Sequence, residues 1–307
     1  MARQLAVVFL IGLVCVTPAG AENWPQWRGP DGDGTSGETG LPLQWSETEN
    51  LAWKTPLPEW GTSTPAVWGD AIFLTSESDG KLLLLRIDKA AGEIVWTKTV
   101  GSGAAHRKVE GAGKRTSKFH ELHNLASPSP VTDGERVIAH FGNGLLASFT
   151  FDGRKEWQRD LTKDYGPYTI WWGHANSPVI VGDLVISVCM QDSMQGDWDK
   201  LSPSYVVAHD KRTGEVQWKT LRMTGADAEE GDSYTTPVLH RSGDRTELVI
   251  MGGNQLDAYD PETGERLWRL PGLVGGRTIT GPTLADGTVF TTVGMRGPLH
   301  AIKLDGE

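Results

Sequence analysis

The chain has 307 residues, a formal net charge of −10, and 38 Gly, 17 Pro and 13 Trp. An acidic chain without a basic face lacks the electrostatic footprint of a nucleic-acid binder, and two cysteines exclude a framework of several disulfides. So much glycine, proline and tryptophan predicts many short strands joined by turns, with little helix after residue 20.

The N-terminus reads as a secretory leader. Arg3 supplies a positive start, an apolar run follows from Leu5 to Val16, and Ala19-Gly20-Ala21 is an A-x-A cleavage site. That run is about 12 residues long, short of the roughly 20 that a membrane-spanning helix needs. The expected division is a signal peptide over 1–21, a Pro/Gly-rich lead-in over 22–50 and a repeat array over 51–307. Loss of the leader removes Arg3 and Cys15, so Cys189 is left alone in an apolar strand and reads as a buried small hydrophobe.

The lead-in opens Trp24-Pro25-Gln26-Trp27-Arg28-Gly29-Pro30 and continues Asp31-Gly32-Asp33-Gly34-Thr35-Ser36-Gly37. Its aspartates fit Asx turns. A calcium-binding loop counted from Asp31 would need Gly at its sixth position and Glu at its twelfth, where Ser36 and Pro42 stand.

The array is expected to begin with a strand at Leu51-Ala52-Trp53-Lys54. A Ser/Thr/Gly-Pro pair that opens a strand then recurs as Thr64-Pro65, Ser129-Pro130, Ser177-Pro178, Thr236-Pro237 and Gly281-Pro282. Each is followed by a turn and an apolar second strand, at 71–75, 136–141, 184–190, 247–251 and 288–293. Third strands are expected at 82–87, 145–151, 205–209, 256–259 and 299–304, each running into a further turn and a strand that carries Trp. Four short antiparallel strands per unit, repeated at this size, predict the blades of an all-β propeller.

The turn before the Trp strand is written with fixed spacing. It reads Asp88, Gly92, Trp96; Asp210, Gly214, Trp218; and Asp260, Gly264, Trp268, with a shortened copy that runs from Thr150 through Gly153 to Trp157. The carboxylate can accept N–H groups two residues on, and glycine supplies the positive φ that closes the hairpin. These ten residues, Trp157 included and Thr150 and Gly153 aside, are the expected blade-docking set. Each Trp buries on the order of 200 Å², and Ala208 and Ala258 are the small partners expected to receive it from the neighbouring blade.

Two insertions interrupt the repeat. One spans 101–126 and ends in His120-Glu121-Leu122-His123-Asn124; the other spans 164–177 and contains Trp171-Trp172-Gly173-His174-Ala175-Asn176. Both precede a Ser-Pro strand, so both should emerge on the face where first strands enter the channel. His120, His123, Asn124, Trp171, Trp172, His174 and Asn176 form the candidate binding surface. Imidazoles there suit a divalent metal, but histidines that cap loop backbones and an aromatic pair packed over blade edges are the preferred reading, and neither catalytic nor metal residues are assigned.

The segments Ala208-His209-Asp210 to Trp218 and Ala258-Tyr259-Asp260 to Trp268 resemble the tryptophan-docking repeats of quinoprotein-type (PQQ-like) β-propellers. That superfamily holds the pyrroloquinoline-quinone (PQQ) dehydrogenases and the propeller of BamB, and the lead-in also resembles exported bacterial PQQ-like repeat proteins. The resemblance implies an exported, non-catalytic scaffold in the periplasm or cell envelope, with a protein partner, no nucleic acid and no cofactor. Its alternative is a PQQ-dependent dehydrogenase holding the quinone with calcium, although the adjacent cysteines of the alcohol-oxidising branch are absent. It also implies seven or eight blades. Five Ser-Pro units and a final unit stopping at Glu307 read as an array of about five to six blades, C-terminally incomplete.

Overall fold

The computed structural model describes residues 22–103, 120, 122–191, 203–226, 228–294 and 297–304. The leader, residues 104–119 and 121 of the first insertion, and residues 305–307 lie outside them.

Five antiparallel sheets follow one another along the chain. The first is β1 (Ala66–Trp68), β2 (Ala71–Ser78), β3 (Lys81–Asp88) and β4 (Ile94–Ser102). The second is β5 (Val131–Thr132), β6 (Arg136–His140), β7 (Leu145–Thr150) and β8 (Lys155–Asp160). The third is β9 (Val179–Val181), β10 (Leu184–Cys189), β11 (Tyr205–Asp210) and β12 (Val216–Leu221). The fourth is β13 (Val238–Ser242), β14 (Arg245–Gly252), β15 (Gln255–Tyr259) and β16 (Arg266–Pro271). The fifth has three described strands, β17 (Thr283–Ala285), β18 (Thr288–Thr292) and β19 (Leu299–Lys303).

Every first strand begins one residue after the proline of a Ser/Thr/Gly-Pro pair, because proline cannot donate to the ladder and so sits at a strand's edge. The first strands of neighbouring sheets lie side by side, β1 with β5, β5 with β9 and β13 with β17. They therefore surround an axis, with the Trp strands outermost. The sheets are the blades of a propeller.

Apolar side chains fill the space between blades. Phe73, Leu82 and Leu84 of the first meet Val137, Phe141 and Phe149 of the second, and Ile186 and Val206 of the third meet Leu248 and Ile250 of the fourth. One buried ion pair also crosses a boundary. Arg222 Nε lies 2.8 Å from Asp257 Oδ2, and Arg222 Nη2 donates to Gly252 O and Gln255 O. A short helix, α1 (Leu161–Tyr165), is an element that the repeat pattern does not foresee; Asp160 caps it by accepting from Lys163 N.

Each Asp…Gly turn closes in the same way. Asp210 Oδ1 accepts from Arg212 N and Thr213 N, both at 2.8 Å, and Gly214 N donates to Asp210 O with Gly214 at φ 72°. Asp88 and Asp260 repeat the pattern, while in the short copy Thr150 Oγ1 accepts from Arg154 N.

The indole of each Trp strand then meets the turn of the following blade. Trp96 Nε1 donates to Phe151 O, Trp157 to Lys211 O and Trp218 to Pro261 O, at 2.9–3.0 Å. A β-carbon on Gly214 or Gly264 would overlap Trp157 or Trp218 respectively, so these glycines both turn the chain and seat the ring. The expected small partners are corrected here. Ala208 and Ala258 lie opposite Trp218 and Trp268 within the same sheet, so the surface that receives an indole across the boundary is the glycine. Within the described residues Trp268 Nε1 instead donates to Glu247 Oε2 of its own blade.

The strand expected at Leu51-Ala52-Trp53-Lys54 is also corrected. Residues 51–58 have extended coil and pair with no described strand, yet Trp53 Nε1 donates to Lys89 O and Thr55 Oγ1 to Gly92 O, as Trp218 and Thr220 do to Pro261 O and Gly264 O.

Replacing Gly264 by Ala should cost at least about 2 kcal/mol more than replacing Gly243 by Ala, measured by urea unfolding. Both glycines have positive φ, but space around Gly243 is open, whereas Gly264 is overlaid by Trp218. Equal losses would show that the ring does not press on the turn.

Candidate functional site

The lead-in runs along the propeller axis. Trp24 forms a bridge with Val67 in β1, Pro25 O accepts from Thr132 N in β5, and Arg28 Nη1 donates to Pro282 O and Thr283 Oγ1 at the start of β17. Three residues of a five-residue stretch thus touch the first strands of three blades. Asx chemistry shapes the next turn, where Asp33 Oδ1 accepts from Thr35 N.

The Ser/Thr-Pro pairs form a second link between blades, nearer the axis. Ser129 Oγ accepts from Thr64 N, Ser177 Oγ from Ser129 N and Thr236 Oγ1 from Ser177 N, at 2.9–3.1 Å. Gly281 of the fifth blade has no hydroxyl, and the chain of bonds ends there. Each hydroxyl accepts one backbone N–H and, among the described hydrogen bonds, none donates, so its O–H is available to a ligand.

These hydroxyls border a cavity of about 420 Å³ at the mouth of the central channel, with Trp27 and Arg28 of the lead-in in its wall. A second cavity of about 440 Å³ adjoins it through the shared residues Tyr234 and Ile279, and is completed by Trp172 and Arg277. His120 stacks on Trp172 with ring centroids 4.1 Å apart, and its N–H donates to Trp171 O. The two insertions therefore meet on this face. Arg277 lies 4.8 Å from the Trp172 ring and pairs with Glu229 at 3.4 Å.

Of the candidate binding surface, His120, Trp171 and Trp172 are half-buried and flank the mouth. His123, Asn124, His174 and Asn176 are buried and cannot form part of an exposed surface. Asn176 Nδ2 donates to Ser233 O and Thr235 O, and Asn124 Nδ2 to Thr62 Oγ1, which tie the loops together from beneath. His174 packs 4.6 Å from His140 and 4.7 Å from Tyr168, and His140 Nε2 lies 3.2 Å from Tyr168 Oη. Among the described residues no three His, Cys, Asp or Glu side chains gather to hold a metal. The mouth residues that sequence reasoning missed are Trp27, Arg28, Tyr234 and Arg277; the recurrent hydroxyl before proline is the signal that leads to the rim.

Burial keeps the histidine cluster neutral. It drives His140 down to about 3, with His209 adding to the effect, and holds His174 well below the ordinary range. His209 falls to about 4, again chiefly through burial.

The family described as outer membrane protein assembly factor BamB matches residues 35–194 and 202–307. No curated protein matches the chain. Among solved structures, BamB from Moraxella catarrhalis is similar at TM-score 0.50 and 17% identity, over 80% of this chain and 59% of that one. Quinohemoprotein alcohol dehydrogenase from Comamonas testosteroni is similar at TM-score 0.57 and 13% identity, over 92% and 49%. A europium-containing methanol dehydrogenase gives 0.51 and 12%, over 82% and 52%. The chain spans about half to three fifths of these structures, and at such identities the likeness is one of fold.

Replacement of Ser177 by Ala should cost about 1–3 kcal/mol in urea unfolding, since it strands the buried Ser129 N–H, while Ser177→Thr should cost much less. Equal losses for the two would contradict the bond's role. Acid should also destabilise the fold before the carboxylates titrate. Unfolded histidines bind protons near pH 6.5 and the folded His140 and His209 only near 3 and 4, so stability falls as pH drops between about 6.5 and 4. The urea midpoint should be lower at pH 4.5 than at pH 7, and His140→Gln should reduce that slope. A flat midpoint would contradict the burial.

Proposed function

Because the chain belongs to the family of the outer membrane protein assembly factor BamB, we propose that it is a non-catalytic β-propeller acting as a protein-interaction scaffold in the cell envelope. The observation that supports this reading is the lead-in within the channel, bonded to the first, second and fifth blades. A lead-in bonded there would compete with a cofactor for the axial space.

The donor set argues in the same direction. Calcium takes six to eight oxygen ligands, carboxylates foremost, and among the described residues the wall of the channel mouth contains hydroxyls, aromatic rings and an arginine but no carboxylate. These residues do not fit a calcium-held quinone, and no redox step is assigned to them.

Aromatic and arginine side chains are favoured at the centres of protein interfaces, and Trp27, Trp172, Arg28 and Arg277 surround the mouth. Leu43 and Trp45 of the lead-in are 95% and 66% exposed, which adds apolar surface for a partner to cover. The acidic net charge favours a protein over a nucleic acid. Residence in the envelope rests on the secretory leader and the family. Among the described residues no helix is long and apolar enough to cross a membrane.

Pull-down from envelope extract with the full chain should return a stoichiometric protein partner, and the Trp171→Ala, Trp172→Ala double variant should reduce its recovery about tenfold or more. Recovery of no partner, or recovery unaffected by both substitutions, would contradict an interaction surface on this face.

A further inference from the structure

Arg28 occupies the left-handed region at φ 62°, where a non-glycine residue costs roughly 1–2 kcal/mol. The surroundings impose it: Gly34 N donates to Arg28 O, and Arg28 Nη1 is fixed 3.1 Å from both Pro282 O and Thr283 Oγ1. Arg28 also lines the channel-mouth cavity. No described carboxylate pairs with it, whereas Arg136, Arg222 and Arg277 each hold one. A half-buried cation without a counter-ion among the described residues is able to receive an anion.

The rim supplies the matching hydrogen-bond chemistry. Ser129, Ser177 and Thr236 line the cavity, each accepts one backbone N–H, and none donates within the described residues, so each can give an O–H to a group in the cavity. Donors from three blades beside a guanidinium suit an oxyanion. A single arginine in a chain of net charge −10 suits a monoanion such as a carboxylate better than a phosphate dianion. Immediately beside it, Trp172, Tyr234 and Ile279 border the second cavity, which has room for an aliphatic side chain. Below the mouth the lead-in is bonded to the first strands of two blades, which favours entry of a chain end over threading of a polypeptide.

We propose that the channel mouth captures the C-terminus of a partner protein. The terminal carboxylate is received by Arg28 and the hydroxyls of Ser129, Ser177 and Thr236, and an apolar side chain next to it packs on Trp172, Tyr234 and Ile279. This rests on the scaffold reading and gives its partner a chemistry.

The test is titration calorimetry of the full chain with the pentapeptide Ala-Ala-Ala-Ala-Leu, as the free acid and as the C-terminal amide. The acid should bind about tenfold more tightly than the amide, the worth of one charge-assisted contact. In a folded Arg28→Gln variant that preference should vanish while amide affinity stays within about twofold of wild type. Trp172→Ala, which leaves the lead-in untouched, should weaken acid and amide alike, and this arm applies even where Arg28→Gln unfolds. Equal binding of acid and amide, or no binding of either, overturns the proposal. So does acetate or inorganic phosphate binding as tightly as the peptide, which would make the site one for small anions. An envelope partner recovered equally by wild type and Arg28→Gln would leave the scaffold standing and sink this assignment alone.

Discussion

The structure depends on a tryptophan pressed against a glycine of the next blade. A four-stranded sheet has two faces and can bury neither alone, so a blade is stable only when its neighbours are held in register. The indoles of Trp96, Trp157 and Trp218 do this at the rim, each with its N–H bonded to a carbonyl of the following turn. An aromatic burying about 150–250 Å² at about 25 cal/mol per Å² stabilises such a boundary by several kcal/mol. The bond from Nε1 adds direction, so the ring fixes both spacing and angle. Trp53 reaches Lys89 O in the same way without belonging to any described sheet.

A second, inner set of links works against the axis. The hydroxyls of Ser129, Ser177 and Thr236, each just before a strand-opening proline, accept an N–H from the preceding blade. Rim and axis are thus held by different chemistry: apolar area outside, where the circumference is long, and short hydrogen bonds inside, where backbones converge. The same three residues line the cavity at the channel mouth. The lead-in completes this arrangement by running along the axis and carrying Trp27 and Arg28 to the mouth.

The blade organisation was legible in the sequence because its signals are local. Proline cannot sit inside a ladder, and the Asp and Gly of a turn act within five residues, so strand positions could be read from spacing. What lay between blades was not legible. The partner of Trp218 is Gly264, about fifty residues on and already accounted for as a turn residue, so Ala258 looked like the better receiver. The lead-in has no periodicity to announce a place on the axis, and Arg222 with Asp257 belongs to no motif. At the candidate site, His123, Asn124, His174 and Asn176 were read as surface because they lie in insertions between blades, yet they are buried and the asparagines bond backbone and hydroxyl groups of adjoining loops. Only folding brings Arg28, Tyr234 and Arg277 to one mouth.

A propeller of this kind can serve chemistry or assembly, and its neighbours in fold include both. The distinction lies in what the channel holds. Titration of the full chain with PQQ and calcium, followed by tryptophan fluorescence and dye-linked dehydrogenase activity, tests it most directly. An interaction scaffold with its axis taken up by residues 24–28 predicts no saturable quenching and no activity. Saturable quenching at one quinone per chain, with activity that requires calcium, would contradict it.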